Sequence, residues 1–176
     1  MENIRAEYQV TLSDFRRASY FGLCLRHRRP LQIMVVVLAV AVLYMIGAQM
    51  GLGQLNALVP LLAAAYLVWG LLLFAGAERD IRRYMKLPDS LIGCTYDVEI
   101  ESHRIRFSIP SRNIQFATQI NKLTCVFELS QMFLVYVSPQ EVYILPHRCL
   151  TAAQRTNLRA VFAERLGEKF STRFHE

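Results

Sequence analysis

From Leu31 to Ala77 the chain contains no Asp, Glu, Lys, Arg or His. An uncharged stretch of that length does not belong on the surface of a water-soluble domain, where charged side chains concentrate. The chain also lacks paired cysteine spacing. Cys24, Cys94, Cys125 and Cys149 stand far apart with no CxxC among them, which excludes a secreted disulfide scaffold and knuckle-type zinc spacing. They read as four reduced thiols. There is no G-x-S-x-G, no phosphate-cradling glycine-rich loop and no H-E-x-x-H, so the common hydrolase, nucleotide-binding and metalloprotease signatures are missing. His147-x-Cys149 supplies two ligand types, with Cys94 or His103 as conceivable completions, but the spacing does not read as a metal site. No cofactor and no catalytic residue is expected, and the chain does not read as an enzyme.

What is present is apolar. Leu31 to Met50 and Leu55 to Ala77 are two long hydrophobic runs, each long enough to cross a hydrocarbon core of ~30 Å at ~1.5 Å per residue. Only Gly51-Leu52-Gly53-Gln54 separates them, which leaves room for a tight reversal. The expected unit is therefore a two-helix transmembrane hairpin, with spans at 31–50 and 55–77 and an external turn at 51–54. The first run begins too far into the chain and is too long for a cleaved signal peptide.

The net charge is +6, and its distribution matters more than its size. Arg26, Arg28 and Arg29 precede the first run, with Arg16 and Arg17 further back, while Arg79, Arg82, Arg83 and Lys86 follow the second. The connecting turn has no basic residue. By the positive-inside rule both termini are cytoplasmic and the turn is external. Those seven flanking residues are candidate membrane-surface contacts, as headgroup partners or as plain topology signals. They crowd beside the apolar runs instead of forming a separate basic face, so nucleic acid is not an expected partner. Inside the runs the polar side chains Gln32, Gln49 and Asn56 lie near the ends. An ion or proton pathway places ionisable groups at mid-membrane, and none is there. Gly47-x-x-x-Gly51 matches a close-packing pattern, which makes Gly47 and Gly51 candidate helix-packing residues, against the second span or another subunit. Pro60 lies in the first two turns of the second span, where its missing N–H costs little.

The remaining residues divide into an arm and a domain. Tyr8 to Thr11 suits a short strand, and Thr11-x-x-Asp14 resembles a capping box opening a helix to about Arg28. Residues 1–30 form this cytoplasmic strand-and-helix arm, and residues 78–90 extend the second span and link onward. Past Tyr96 the period becomes two. A two-residue turn at Ser102-His103 sets Ile100 opposite Ile105, Val98 opposite Phe107 and Tyr96 opposite Ile109. The same register sets Glu101 opposite Arg104 and Glu99 opposite Arg106, so both faces specify one pairing. Further strands fit Asn113–Gln119, Lys122–Leu129, Met132–Val137 and Val142–Leu145. Thr151-x-x-Gln154 then opens an amphipathic helix with the stripe Leu158, Val161, Phe162 and Leu166, stopped by Gly167. The expected domain, 91–167, is a small antiparallel sheet or partial barrel closed by that helix, followed by a loose tail at 168–176.

The order of these elements resembles the bacterial YcxB-like membrane proteins. The Tyr8-x-Val10-Thr11-Leu12-x-Asp14-Phe15 segment precedes two spans, and Ile144-Leu145-Pro146-x-Arg148 makes the turn before the last helix. The chain departs from that family at Ala117, where relatives often carry Trp, and in having only Lys122 where a Lys-rich stretch is expected. The resemblance implies a bacterial inner-membrane address and a pleckstrin-homology-like (PH-like) carboxy-terminal domain; it lends no activity. The functional expectation is a membrane-anchored interaction or regulatory module that presents this domain at the inner leaflet to a protein, peptide or lipid. A hairpin that self-associates as a pore or accessory subunit, and a membrane-tethered small-ligand sensor, are the alternatives.

Overall fold

The computed structural model describes residues 3–51 and 56–172. The expected external turn beyond Gly51, the start of the second span at Leu55 and the last four residues lie outside these. The chain divides into two compact units, residues 19–90 and residues 1–18 with 91–176.

The helical unit is built on two long helices, α2 (Arg28–Gln49) and α3 (Leu58–Met85). Both are long and apolar enough to cross a membrane. Only 6% and 11% of their most apolar stretches is buried, which separates them from the core helices of a soluble protein. Leu43, Leu71 and Leu72 are each about two-thirds exposed. Pro30 sits in the first turn of α2, where the orphan N–H it lacks has no intrahelical partner. At ~1.5 Å per residue α3 is ~42 Å long, longer than the hydrocarbon core, because the helix continues past Ala77 as its sequence allowed.

α2 and α3 run antiparallel, with Met34 against Gly70 and the Tyr44 hydroxyl accepting from the Asn56 N–H at 2.6 Å. The expected packing glycines do not carry this contact. Among the described residues a Cβ added at Gly47 or Gly51 meets nothing within 4 Å, whereas one at Gly70 lies 2.9 Å from Met34 Sδ. Gly51, just past the end of α2, has φ +79°, a conformation glycine adopts without strain. The close approach falls at Gly70 and at the buried Ala41 and Ala63, small residues that the GxxxG spacing does not mark.

Helix α1 (Leu12–Arg26) opens as expected: Thr11 N–H donates to Asp14 Oδ2 at 3.0 Å and Asp14 N–H donates to Thr11 Oγ1 at 3.3 Å. Before it, strand β1 covers Ile4–Gln9, longer and earlier than Tyr8–Thr11. β1 belongs to the β domain and not to a separate arm. It pairs antiparallel with β2 (Thr95–Ile100), setting Ile4 opposite Ile100, Ala6 opposite Val98 and Tyr8 opposite Tyr96. The Tyr8 and Tyr96 rings stack at 5.5 Å. The alternating pattern of β1 buries Ile4, Ala6 and Tyr8 beside the apolar face of β2.

The first sheet has the order β1-β2-β3-β4, with β3 at Arg104–Ile109 and β4 at Ile114–Gln119. Its central hairpin has the register expected from the sequence: Ile100 faces Ile105, Val98 faces Phe107 and Glu99 faces Arg106. Glu101 N–H donates to Arg104 O at 2.9 Å, so Ser102-His103 is the turn. The second sheet has the order β7-β6-β5-β8, from β5 (Cys125–Leu129), β6 (Met132–Tyr136), β7 (Val142–Pro146) and β8 (Phe170–Thr172). The segment read as a strand from Lys122 starts only at Cys125, because Ile120–Lys122 forms a 3₁₀ turn that buries Ile120. The tail expected to be loose contributes β8, parallel to β5 with Val126 opposite Phe170. Helix α4 (Ala152–Leu166) carries the complete Thr151/Gln154 capping box and buries Leu158, Val161, Phe162 and Leu166, the expected stripe. Its Phe162 meets Phe133 and Phe170 at ring distances of 5.8 and 5.9 Å. Tyr143 on β7 stacks on Phe107 and Phe116, tying the two sheets together.

Candidate membrane and interaction surfaces

The seven expected membrane-surface residues, Arg26, Arg28, Arg29, Arg79, Arg82, Arg83 and Lys86, all lie in the helical unit and are all exposed. Counting back along α2 and forward along α3 from the Met34–Gly70 contact brings Arg28 level with Gly76. Arg28 and Arg29 therefore stand close to the level of Arg79, and Arg82, Arg83 and Lys86 extend the basic zone by ~10 Å at the helical rise. Acidic side chains are few there. Glu78 accepts the Tyr20 hydroxyl at 3.0 Å and Arg82 Nε at 3.2 Å. Tyr20 also meets Phe74 edge-on at 5.9 Å, and His27 meets Trp69 at 6.5 Å. The Tyr20 contacts join α1 to α3 at Phe74 and Glu78, a meeting for which the sequence carries no local signal. The far end of the unit, at Tyr44, Gly51 and Asn56, has no charged side chain among the described residues.

In the β domain the polar side chains form two buried clusters and one open face. Asp14 is 4% exposed. Arg148 grips it with Nη1 on Oδ1 at 2.9 Å and Nη2 on Oδ2 at 2.6 Å, and also donates to Gln9 O at 2.6 Å. Burial works against the Asp14 carboxylate, but the hydrogen bonds from Arg148 and Thr11 outweigh it and hold its pKa below the usual range. Beside it the Tyr8 hydroxyl donates to Ile144 O at 2.7 Å. Burial raises that phenol well above its ordinary pKa, so it stays a donor. Asp14, Arg148 and Tyr8 together bolt the segment before the first long helix to the turn before the last helix. Local sequence places Asp14 in a cap and Arg148 in a turn motif; nothing local pairs two residues 134 positions apart.

The second cluster has no local signature in the sequence. Glu128 on β5 is 4% exposed and accepts Arg159 Nε and Nη2 from α4 at 2.9 and 2.6 Å. The carboxylate interrupts an apolar strand, and the residue that answers it comes from a distant helix. His147 turns its ring edge to Phe133 at 4.8 Å, and burial lowers its pKa against the opposing pull of Glu128. Burial pushes the Cys149 thiol up to about 11, and its Sγ contacts Pro146 O, so at neutral pH it is a protonated, unreactive group. Among the described residues no three His, Cys, Asp or Glu side chains converge as metal ligands.

The open face is the outer side of the first sheet. Glu99 bridges Arg106 at 3.1 Å and Arg5 at 3.9 Å. Next to this ladder Arg5, Glu7, Thr95, Asp97 and Pro110 line a shallow groove of about 580 Å³. Exposed pairs of this kind add little stability, and the groove mixes both charge signs. No family model, no curated protein and no solved structure matches this chain.

Proposed function

We propose that this chain is a multi-pass protein of the bacterial cell membrane, of the YcxB-like type, that tethers a PH-like β domain at the inner leaflet. Its role is to present that domain to a protein, peptide or lipid partner, without catalysis. The observation that carries this reading is the charge asymmetry of an exposed apolar helix pair. Among the described residues seven basic side chains stand at one end, none at the other, and exposed leucines lie between. A bilayer satisfies that arrangement by covering the leucines and by holding the basic end on the cytoplasmic side. The order of two four-stranded sheets and a closing helix supports the PH-like assignment, and a sheet of that kind takes partners by strand addition at an edge or through its loops.

Two measurements test the proposal. Single cysteines at Asn56 and at Lys86, in full-length chain whose four native cysteines are replaced by serine, should label from opposite sides of sealed inverted vesicles; labelling of both from one side refutes the hairpin. Crosslinking from native membranes should then enrich a partner over a version lacking residues 91–176. Recovery of no such partner overturns the interaction role.

A further inference from the structure

Each open sheet edge presents unpaired backbone groups to any strand that can reach it, and folded proteins normally guard them. β1 carries Arg5 and Glu7, β7 ends in Pro146 and is buried along most of its length, and β8 is only 3 residues long. The remaining edge, β4, has none of these protections. Its sequence is Ile-Gln-Phe-Ala-Thr-Gln, with no charge and no proline, and among the described residues its ladder runs to β3 alone. The flanking cations Arg112 and Lys122 fall in the 3₁₀ turns outside the ladder.

The ladder also fixes which groups face outward. Ile120 N–H donates to His103 O at 2.9 Å, and Ile105, Phe107 and Ile109 pair with Thr118, Phe116 and Ile114. Antiparallel pairs alternate between bonded and non-bonded positions, so Ile114, Phe116 and Thr118 turn their N–H and C=O toward β3. Gln115, Ala117 and Gln119 turn theirs away from the sheet, and all three side chains are exposed.

That outward set, Gln-Ala-Gln, reads the same in both directions about Ala117. We infer that β4 is a self-pairing edge: two copies of the chain join antiparallel across a two-fold axis at Ala117, making one continuous eight-stranded sheet from two four-stranded ones. Each Gln115 then lies opposite the partner's Gln119, and Phe116 lies beside the partner's Thr118. An isologous contact needs a self-complementary patch, and an uncharged palindromic edge supplies one with no like charges facing across the ladder. The occupant is a second copy because the outward set is neutral and symmetric about Ala117, so a second β4 meets it with Gln opposite Gln at both pairs and no charge facing either. The inference stands on the sheet and does not depend on membrane insertion.

Full-length chain in detergent micelles, followed by mass photometry and amine crosslinking, tests it. Wild type should show a dimer. Gln115→Lys with Gln119→Lys places like charges opposite one another at both pairs and should give monomer. Gln115→Lys with Gln119→Glu places Lys opposite Glu at both and should restore the dimer. These side chains are exposed, and matching circular dichroism spectra of the variants confirm that the fold is retained. A monomeric wild type overturns the inference. So does a dimer indifferent to the double-lysine change, which would locate the contact in the apolar helices, or a Lys/Glu variant as monomeric as the Lys/Lys one.

Discussion

Removing the Arg148 side chain should loosen the attachment of β1 and the start of α1 to the rest of the β domain. Arg148→Ala deletes two charge-assisted bonds to Asp14 and one to Gln9 O. It leaves a carboxylate that is 4% exposed with only the Thr11 backbone and hydroxyl donors. Breaking a fully buried pair costs ~3–5 kcal/mol. Here Arg148 is about half exposed, so solvent screens part of the interaction, and Thr11 still serves one oxygen. The expected loss is ~2–3 kcal/mol. At ~1.4 kcal/mol per tenfold, hydrogen exchange of the β1 amides should accelerate by ~30–150-fold. A cycle of Asp14→Asn, Arg148→Gln and the double variant should give a coupling of ~2 kcal/mol. A coupling below ~0.5 kcal/mol, or β1 exchange unchanged in Arg148→Ala, would refute the idea that this ion pair holds the segment in place.

Acid should act through the same carboxylate. Its folded pKa is depressed below the ordinary ~3.9, so its stabilisation is complete above the unfolded value and disappears as pH falls through the folded one. Denaturation midpoints of wild type should therefore fall more steeply below about pH 4 than those of Asp14→Asn, and parallel curves would count against it. In the helix pair, Gly70→Leu should disrupt α2–α3 packing because even a Cβ there meets Met34 at 2.9 Å, whereas Gly47→Ala has open space and should be neutral or stabilising by up to ~1 kcal/mol; thermal melts in detergent distinguish the two, and equal losses would restore Gly47 as a packing residue. Gly167→Ala, at φ +53° and ψ −121°, forces a side chain into a glycine-only region and should cost ~1–3 kcal/mol in domain stability. An unchanged melting point would show that the turn relaxes freely.

The sequence by itself determined the features that depend on neighbours along the chain. The uncharged run from Leu31 to Ala77 can only be two apolar helices, since composition and length suffice to define them. The Ile100–Ile105 register follows from two faces that agree, and the Thr151/Gln154 cap and Leu158 stripe follow from helical spacing. Tertiary structure decided whatever joins distant segments. That Ile4–Gln9 becomes the first strand of a sheet begun again at Thr95, and that Phe170–Thr172 adds a parallel strand beside β5, depends on partner edges that no local pattern names. Gly70 rather than Gly47 became the close contact because the antiparallel offset of two helices is set by their packing, not by a motif on one of them. Asp14 and Glu128 are buried charges only because Arg148 and Arg159 reach them from elsewhere in the fold. The partner of each therefore became legible only once the chain had closed on itself.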